Sequence, residues 1–138
     1  MGRIITGEVV VPGRAEGTAL VADEPISFWG GYNFHSGEIT DRRHGLSGEI
    51  AAGKVLAVPF TRGSSTTTAV LLEALRNGTA PAAIITTGVD TFFALACIVA
   101  RVMYNATIPV ISVSRDSFST LENGVHLSIN ELGEINIH

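Results

Sequence analysis

Two hydrophobic patterns divide the chain, and the first is a short-range alternation of apolar and polar residues. Residues 3–13, rich in β-branched residues, and the short run 18–22 also predict strands, while the alternation itself occurs near the end at 125–130 and 133–138. Such alternation is typical of strands with one face in solvent. The last two runs meet at residues 131–133, which predicts a hairpin turn there.

Between residues 54 and 113 the pattern changes to apolar runs separated by helical stripes. The predicted strands are 54–60, 82–88 and 108–113, and the predicted helices are 69–78 and 92–105, followed by a short helix or turn at 114–124. The strands are almost wholly apolar, as expected of strands covered on both faces. The second helix is apolar nearly all round, which predicts deep burial, with Asp90 or Thr91 as its cap.

This order of elements predicts an α/β fold. Strands that alternate with helices form right-handed parallel crossovers, and the flanking runs add antiparallel strands at both ends. We therefore expect a mixed sheet or partly closed barrel with helices packed on it. A length of 138 residues is that of one domain, residues 1–138.

A glycine-rich connection, residues 27–53, separates the two patterns and shows no helical period. It contains four aromatic residues, Phe28, Trp29, Tyr32 and Phe34. A loop this long in a compact domain is usually functional or hides regular structure. Two interpretations stay open: the aromatic side chains pack under the loop, or they contact a partner.

Composition and charge narrow the class of protein. Hydrophobic residues make up 46% and charged residues 16%, so the surface carries less charge than that of a typical free-standing domain and is expected to be covered. The formal net charge of −4 disfavours nucleic acid and anionic membranes as partners. No signal peptide and no apolar run of ~20 residues occurs, so we expect a cytoplasmic protein.

The candidate metal ligands are few and scattered. Cys97 is the single cysteine, which excludes an internal disulfide and cannot alone hold an iron–sulfur cluster or a structural zinc. The four histidines, at positions 35, 44, 126 and 138, lack ligand spacing. We expect no metal site built by this chain alone.

The segment PFTRGSSTTT, residues 59–68, ends in five consecutive hydroxyl residues, 64–68, where a strand runs into a helix. Backbone N–H groups at a helix start bind anions, Gly63 allows close approach, and Arg62 adds a guanidinium. One hydroxyl is enough to cap a helix, so ordinary capping stays the alternative. The segment has neither the second glycine and lysine of a P-loop nor the GxSxG spacing of a hydrolase.

One resemblance concerns the segment 94–111. It is similar to the mobile phosphohistidine domain of phosphoenolpyruvate-using enzymes, through Ile98-Val99-Ala100-Arg101 and the later Ile108-Pro109. In that alignment Leu95 stands where the phosphorylated histidine belongs. The resemblance therefore implies a swivelling β/β/α fold and argues against phosphotransfer.

A second resemblance covers nearly the whole chain. Four blocks, at residues 13–21, 25–31, 47–85 and 94–111, resemble the small subunit, or swivel domain, of the aconitase-X family, in the same order and spacing. The family's members are hydro-lyases. The resemblance implies a dehydratase that is active with an aconitase-like large subunit, which holds an iron–sulfur cluster, while none is bound by this chain.

The same resemblance implies roles within the segment 59–68, which we call the hydroxyl turn. Gly63-Ser64-Ser65 matches the turn that supplies the serine base in aconitase-type swivel domains, which makes Ser64 the expected base, with Ser65 as the alternative. Arg62, Gly63, Ser65 and Thr66 are the expected substrate contacts. Thr66 stands where an arginine grips a substrate carboxylate in aconitase, which puts recognition of a tricarboxylate in doubt.

The resemblance leaves the substrate between a carboxylate and a phosphate. The segment 101–105 looks closer to bacterial members, which favours cis-3-hydroxy-L-proline. The alternative is (R)-5-phosphomevalonate, since an anion cup near Arg62 suits either group. A non-catalytic swivel module that binds only a partner or a small anion is the hypothesis from another class.

Overall fold

The computed structural model describes residues 2–28, 30–61 and 65–138. The strands are β1 (Arg3–Thr6), β2 (Glu8–Val11), β3 (Ala15–Val21), β4 (Val55–Ala57), β5 (Ala83–Thr86), β6 (Val110–Ser112), β7 (His126–Ile129) and β8 (Glu134–Ile137). The helices are α1 (Ser65–Asn77), α2 (Thr91–Tyr104) and α3 (Arg115–Ser119). None of the helices in these ranges is long and apolar enough to cross a membrane.

The strands form one mixed sheet in the order β1-β8-β7-β3-β4-β5-β6-β2. Its centre, β3 to β6, is parallel, and the outer pairs are antiparallel. The segments from β4 through α1 to β5 and from β5 through α2 to β6 connect adjacent parallel strands, as the sequence predicts. The predicted hairpin at the C-terminus is also confirmed, as β7 and β8.

The two edge strands are neighbours in the chain, and this nearly closes the sheet into a barrel. The sequence predicts one strand over residues 3–13, which is wrong, because Gly7 divides it into β1 and β2. The Gly7 N–H donates to the Gly133 carbonyl oxygen at 2.9 Å. A Cβ atom at Gly7 would lie 2.7 Å from the Ser112 carbonyl oxygen, so only glycine fits this crossing.

The hydrophobic core has two layers, one on each face of the sheet. The outer layer packs α1 and α2 against Leu56, Ile84 and their neighbours. The inner layer fills the barrel with side chains such as Ile85 and Phe118. Both layers meet at the parallel strands, which explains why their residues are almost continuously apolar.

Local signals set the helix ends. Asp90 caps α2 by accepting from the Phe92 and Phe93 backbone N–H groups. After α1, Gly78 takes the left-handed conformation with φ of 74°, and Asn105 does the same after α2 with φ of 52°. The predicted stop at Asn77-Gly78 is confirmed.

The predicted deep burial of α2 is wrong. The helix buries Phe93, Ala96, Cys97 and Ala100. Its opposite face is exposed, with Val102 at 81% and Ile98 at 55%. A largely apolar helix on the outside of a sheet can bury only one face against that sheet, and none of the described residues covers the second face of α2.

The long connection contains isolated bridges but no regular strand or helix within residues 30–53. Phe28 and Tyr32 are buried and stack with ring centroids 4.6 Å apart, and Phe28 meets the edge of Phe93. The packing interpretation is therefore confirmed for these two rings. Phe34 is half-buried, and Trp29 lies outside the described residues.

Candidate functional site

The hydroxyl turn follows the carboxyl end of β4. The last residue that the structure describes before α1 is Thr61. Thr61 is buried, and its N–H and hydroxyl both donate to Asp90 Oδ2, at 2.8 and 2.6 Å. Asp90 Oδ1 accepts from the N–H groups of Phe92 and Phe93 at 3.1 and 3.2 Å. One buried carboxylate thus joins the start of the turn to the start of α2, an arrangement we call the Asp90 clamp.

The residues just before Thr61 are held from both sides. The Pro59 carbonyl oxygen accepts from the N–H and the hydroxyl of Thr87, both at 3.1 Å. The Phe60 carbonyl oxygen accepts from Ile26 N–H at 3.3 Å. The chain therefore leaves the sheet at a position held by two neighbouring segments, the β5–α2 connection and the residues around Ile26, and such support is what a site on a loop requires.

The hydroxyl residues beyond the turn have separate surroundings. Thr67 is buried at 1% exposure, and Thr68 Oγ1 donates to the Phe92 carbonyl oxygen at 3.1 Å, which ties α1 to α2. Thr66 is half-buried in the first turn of α1, and Ser65 is the first residue of that helix. Arg62, Gly63 and Ser64 lie outside the described residues, so their predicted roles stay predictions.

An open cleft of about 440 Å³ lies beside this turn, at the mouth of the barrel. Its lining is Asp23, Pro59, Thr87, Arg115, Asp116, Phe118 and Ser119. These residues follow β3, β4, β5 and β6, so the carboxyl ends of all four parallel strands contribute. Ligands of open α/β sheets bind at this edge of the strands.

The sequence analysis missed the charged residues of this cleft. Asp23 is far along the chain from the adjacent residues Arg115 and Asp116, and the fold of the sheet brings them to one cleft. The sequence signal for these residues is their position, since each lies shortly after the end of a parallel strand. Without the strand order, that signal does not tell which strand ends are neighbours.

The buried titratable groups serve packing. Burial raises the pKa of the Cys97 thiol to about 11, so the thiol is protonated at neutral pH. Burial also raises the pKa of Tyr32, whose hydroxyl donates to the Thr79 carbonyl oxygen at 2.7 Å. In residues 2–28, 30–61 and 65–138, no group of three or more His, Cys, Asp or Glu side chains is placed to hold a metal ion.

The fold and the clamped turn define a class of protein: a small α/β domain of the swivelling type, with two helix starts and a cleft at one edge of its sheet. A family model described as the aconitase X swivel domain matches residues 4–137. The chain belongs to this family.

Two kinds of dehydratase are among the relatives of the chain. It is 42% identical over 107 residues to a cis-3-hydroxy-L-proline dehydratase of Pseudomonas aeruginosa, covering 78% of this chain and 18% of that one. It is 34% identical over 134 residues to a phosphomevalonate dehydratase small subunit of Thermococcus gammatolerans, covering 96% of each. The chain thus spans less than a fifth of the first relative and nearly all of the second.

A solved structure agrees with the family. The crystal structure of Thermococcus kodakaraensis aconitase X in its holo-form includes a chain that matches with a TM-score of 0.87 and 30% identity. The match covers 99% of this chain and 98% of that one. The predicted fold class, a mixed and nearly closed sheet with flanking helices, is confirmed.

Proposed function

We propose that this chain is the small subunit of an aconitase-X-type dehydratase and is active only with its large subunit. The observation that carries the proposal is the Asp90 clamp, which holds Thr61, the residue before Arg62-Gly63-Ser64, close to the cleft residue Pro59, in a domain whose relatives are dehydratases. A capping role alone would not require residues 59–61 to be held by two separate segments. The clamp therefore supports the catalytic interpretation over ordinary capping.

In this proposal Ser64 is the base that takes a proton from a substrate carbon. A serine hydroxyl has a pKa far above neutrality, so its alkoxide needs stabilisation by backbone N–H groups of the turn and by Arg62. The electron pair of the broken C–H bond forms the new double bond, and the neighbouring hydroxyl leaves. Gly63, Ser65 and Thr66 complete the substrate contacts, with Ser65 as the alternative base.

The departing hydroxyl needs an electrophile, and the described residues hold no metal ligand group that would supply one. An iron–sulfur cluster, when bound, supplies Lewis acidity for such a step. The described residues do not fit a cluster, since they lack a ligand group and Cys97 is a buried, protonated thiol. We therefore assign any cluster to the large subunit.

The favoured substrate is cis-3-hydroxy-L-proline, and the charges of the cleft support it. Asp23 and Asp116 face the same cleft as Arg115. A zwitterionic imino acid, with its carboxylate and its ammonium group, suits such a mixed set of charges. A dianionic phosphate would be repelled by the two carboxylates.

Phosphomevalonate remains the second candidate substrate. The observation that favours it is the end-to-end match with separate small subunits, which cover 96% of this chain. Both substrates offer an anionic group to Arg62 and to the N–H groups of the turn. Assays with the two compounds therefore have to be run side by side.

The test is co-expression with the aconitase-like large subunit of the same organism, followed by an assay of both substrates. We expect the complex to turn over cis-3-hydroxy-L-proline and the isolated chain to be inactive. Ser64→Ala should lower turnover about 10²- to 10⁴-fold, the usual contribution of a positioned base, and should leave the complex assembled. Ser65→Ala, at the alternative base and a substrate contact, is the comparison variant and should lower turnover less than Ser64→Ala.

The outcomes separate the hypotheses. Retained turnover in Ser64→Ala with loss in Ser65→Ala would move the base to Ser65. Turnover of (R)-5-phosphomevalonate alone would reverse the choice of substrate. An assembled complex with no dehydration of either compound would favour the non-catalytic swivel module.

A further inference from the structure

The exposed face of α2 collects apolar side chains on the surface. Ten large apolar or tyrosine side chains stand exposed in the described residues, and five of them lie on this one helix: Leu95, Ile98, Val102, Met103 and Tyr104. Single exposed apolar residues are ordinary, but a contiguous group marks an interaction surface. The helix therefore needs a covering element that the described chain does not supply.

Three of these side chains form a continuous row. Leu95, Ile98 and Val102 follow one another at intervals of three and four residues and are 51%, 55% and 81% exposed, so they lie on one side of the helix. We call this row the α2 stripe. Arg101 is the only charged residue of α2, and a shallow depression lined by Thr91, Phe92 and Ala94 continues the stripe toward the helix start.

The stripe leads directly to the candidate site. Phe92 is the residue whose N–H is capped by Asp90 and whose carbonyl oxygen accepts from Thr68. At the same edge Phe60 and Val89 are 50% and 56% exposed. A stable interface buries about 800 Å² on each partner, which is more than three side chains provide. A partner that covers the stripe therefore also has to cover the edge with Phe60 and Val89.

We propose that the α2 stripe is the docking surface for the large subunit of the dehydratase. The inference rests on the proposed function and names the surface through which that partner reaches the site. The relatives supply the reason for this occupant: the same domain is a fifth of a longer dehydratase chain in one of them and a named small subunit in another. In both, a larger partner or a longer chain accompanies it.

A second copy of this chain is a poorer occupant. Docked on the stripe and the adjoining edge, it would place another small subunit against the clamped turn and the cleft. The described residues of this chain form no metal ligand group, so a second copy would not add one from those residues either. The large subunit covers the same apolar surface and adds the half of the site that is missing.

The test measures binding to the purified large subunit of the same organism. Leu95→Lys, Ile98→Lys and Val102→Lys should each weaken association at least about 10-fold, because a lysine ammonium buried in an apolar interface loses its hydration without a partner. Leu132→Lys, at a site 74% exposed in the β7–β8 turn, is the matched control and should bind like wild type. Circular dichroism and urea unfolding confirm that each variant is folded.

The outcomes distinguish this inference from the proposed function. If wild type forms an active complex and the stripe variants bind equally well, the docking surface is wrong and the function stands. If folded wild type does not associate with the large subunit, both are wrong. A self-associated wild-type chain that the stripe variants turn into monomers, with binding of the large subunit unchanged, would identify a second copy as the occupant and overturn the proposal.

Discussion

The two faces of α2 are equally apolar and have opposite surroundings. The face with Phe93, Ala96, Cys97 and Ala100 is buried in the outer layer of the core. The face with Leu95, Ile98 and Val102 is exposed. The buried face is mostly small, which lets α1 and α2 approach closely, and the larger aliphatic side chains point outward. Hydrophobicity alone therefore does not tell a core face from a docking face.

The largest effect on the stability of the isolated chain should come from the buried face. Phe93→Ala removes a fully buried ring that meets the edge of Phe28. We expect a loss of about 3–5 kcal/mol in the free energy of unfolding, measured by urea denaturation. A loss below about 1 kcal/mol would mean that this face contributes little to the core.

The Asp90 clamp lies where the two faces begin and should have the next largest effect. Asp90→Ala leaves the N–H and hydroxyl of Thr61 and the two capped N–H groups without their acceptor. We expect the free energy of unfolding to fall by about 2 kcal/mol, since losing a helix cap or leaving a buried donor without its acceptor costs about 1–3 kcal/mol. Thr61→Val, which removes only the hydroxyl, should cost less. Equal losses for both variants would contradict the bridging role of the carboxylate.

Cys97 gives the buried face a pH dependence that the exposed face lacks. Burial raises the pKa of its thiol from 9.0 to about 11, so the folded state binds the proton more tightly than the unfolded state. Its contribution to stability is complete below pH 9 and is lost as the pH rises from about 9 to about 11. At pH 10 the loss is about 1 kcal/mol.

Unfolding in urea at pH 7 and pH 10 measures this contribution, with Cys97→Ala as the control that lacks it. Thiol labelling of the folded protein at neutral pH should also be slow. Fast labelling under native conditions would show that the buried face opens readily.

The smallest effect is expected on the exposed face. Val102 is 81% exposed, so Val102→Ser should change the free energy of unfolding of the isolated chain by less than about 0.5 kcal/mol. Urea denaturation of the isolated chain measures it. A larger loss would mean that the exposed face packs against something within a single chain, and the contrast between the two faces would disappear.

The succession of strands and helices between residues 54 and 113 was readable from the sequence, because strands and helices there have different hydrophobic periods. The cap of α2 at Asp90 and the stop of α1 at Gly78 are short-range signals and were readable for the same reason. The division of the first strand at Gly7 was not, because the crowding around that glycine comes from Gly133 and Ser112, which are far along the chain.

For the candidate site, the sequence located the hydroxyl turn but not its support. Asp90 was predicted as a helix cap, and its second bond pair to Thr61 arises only when β4 and β5 lie side by side. The cleft charges depend on the strand order in the same way. The predicted roles of Arg62, Gly63 and Ser64 rest on family resemblance and stay proposals.

The sequence by itself determined the local elements, the swivel-domain family and the turn that carries the candidate base, because each of these depends on residues close together in the chain or on an ordered set of motifs. Only the tertiary structure decided that Asp90 joins Thr61 to the start of α2, that Asp23 and Arg115 share a cleft, and that α2 buries its small residues and exposes its larger aliphatic ones. Those properties depend on which strands become neighbours and on which face of a helix meets the sheet. Apolar composition does not specify either when both faces of the helix are equally hydrophobic.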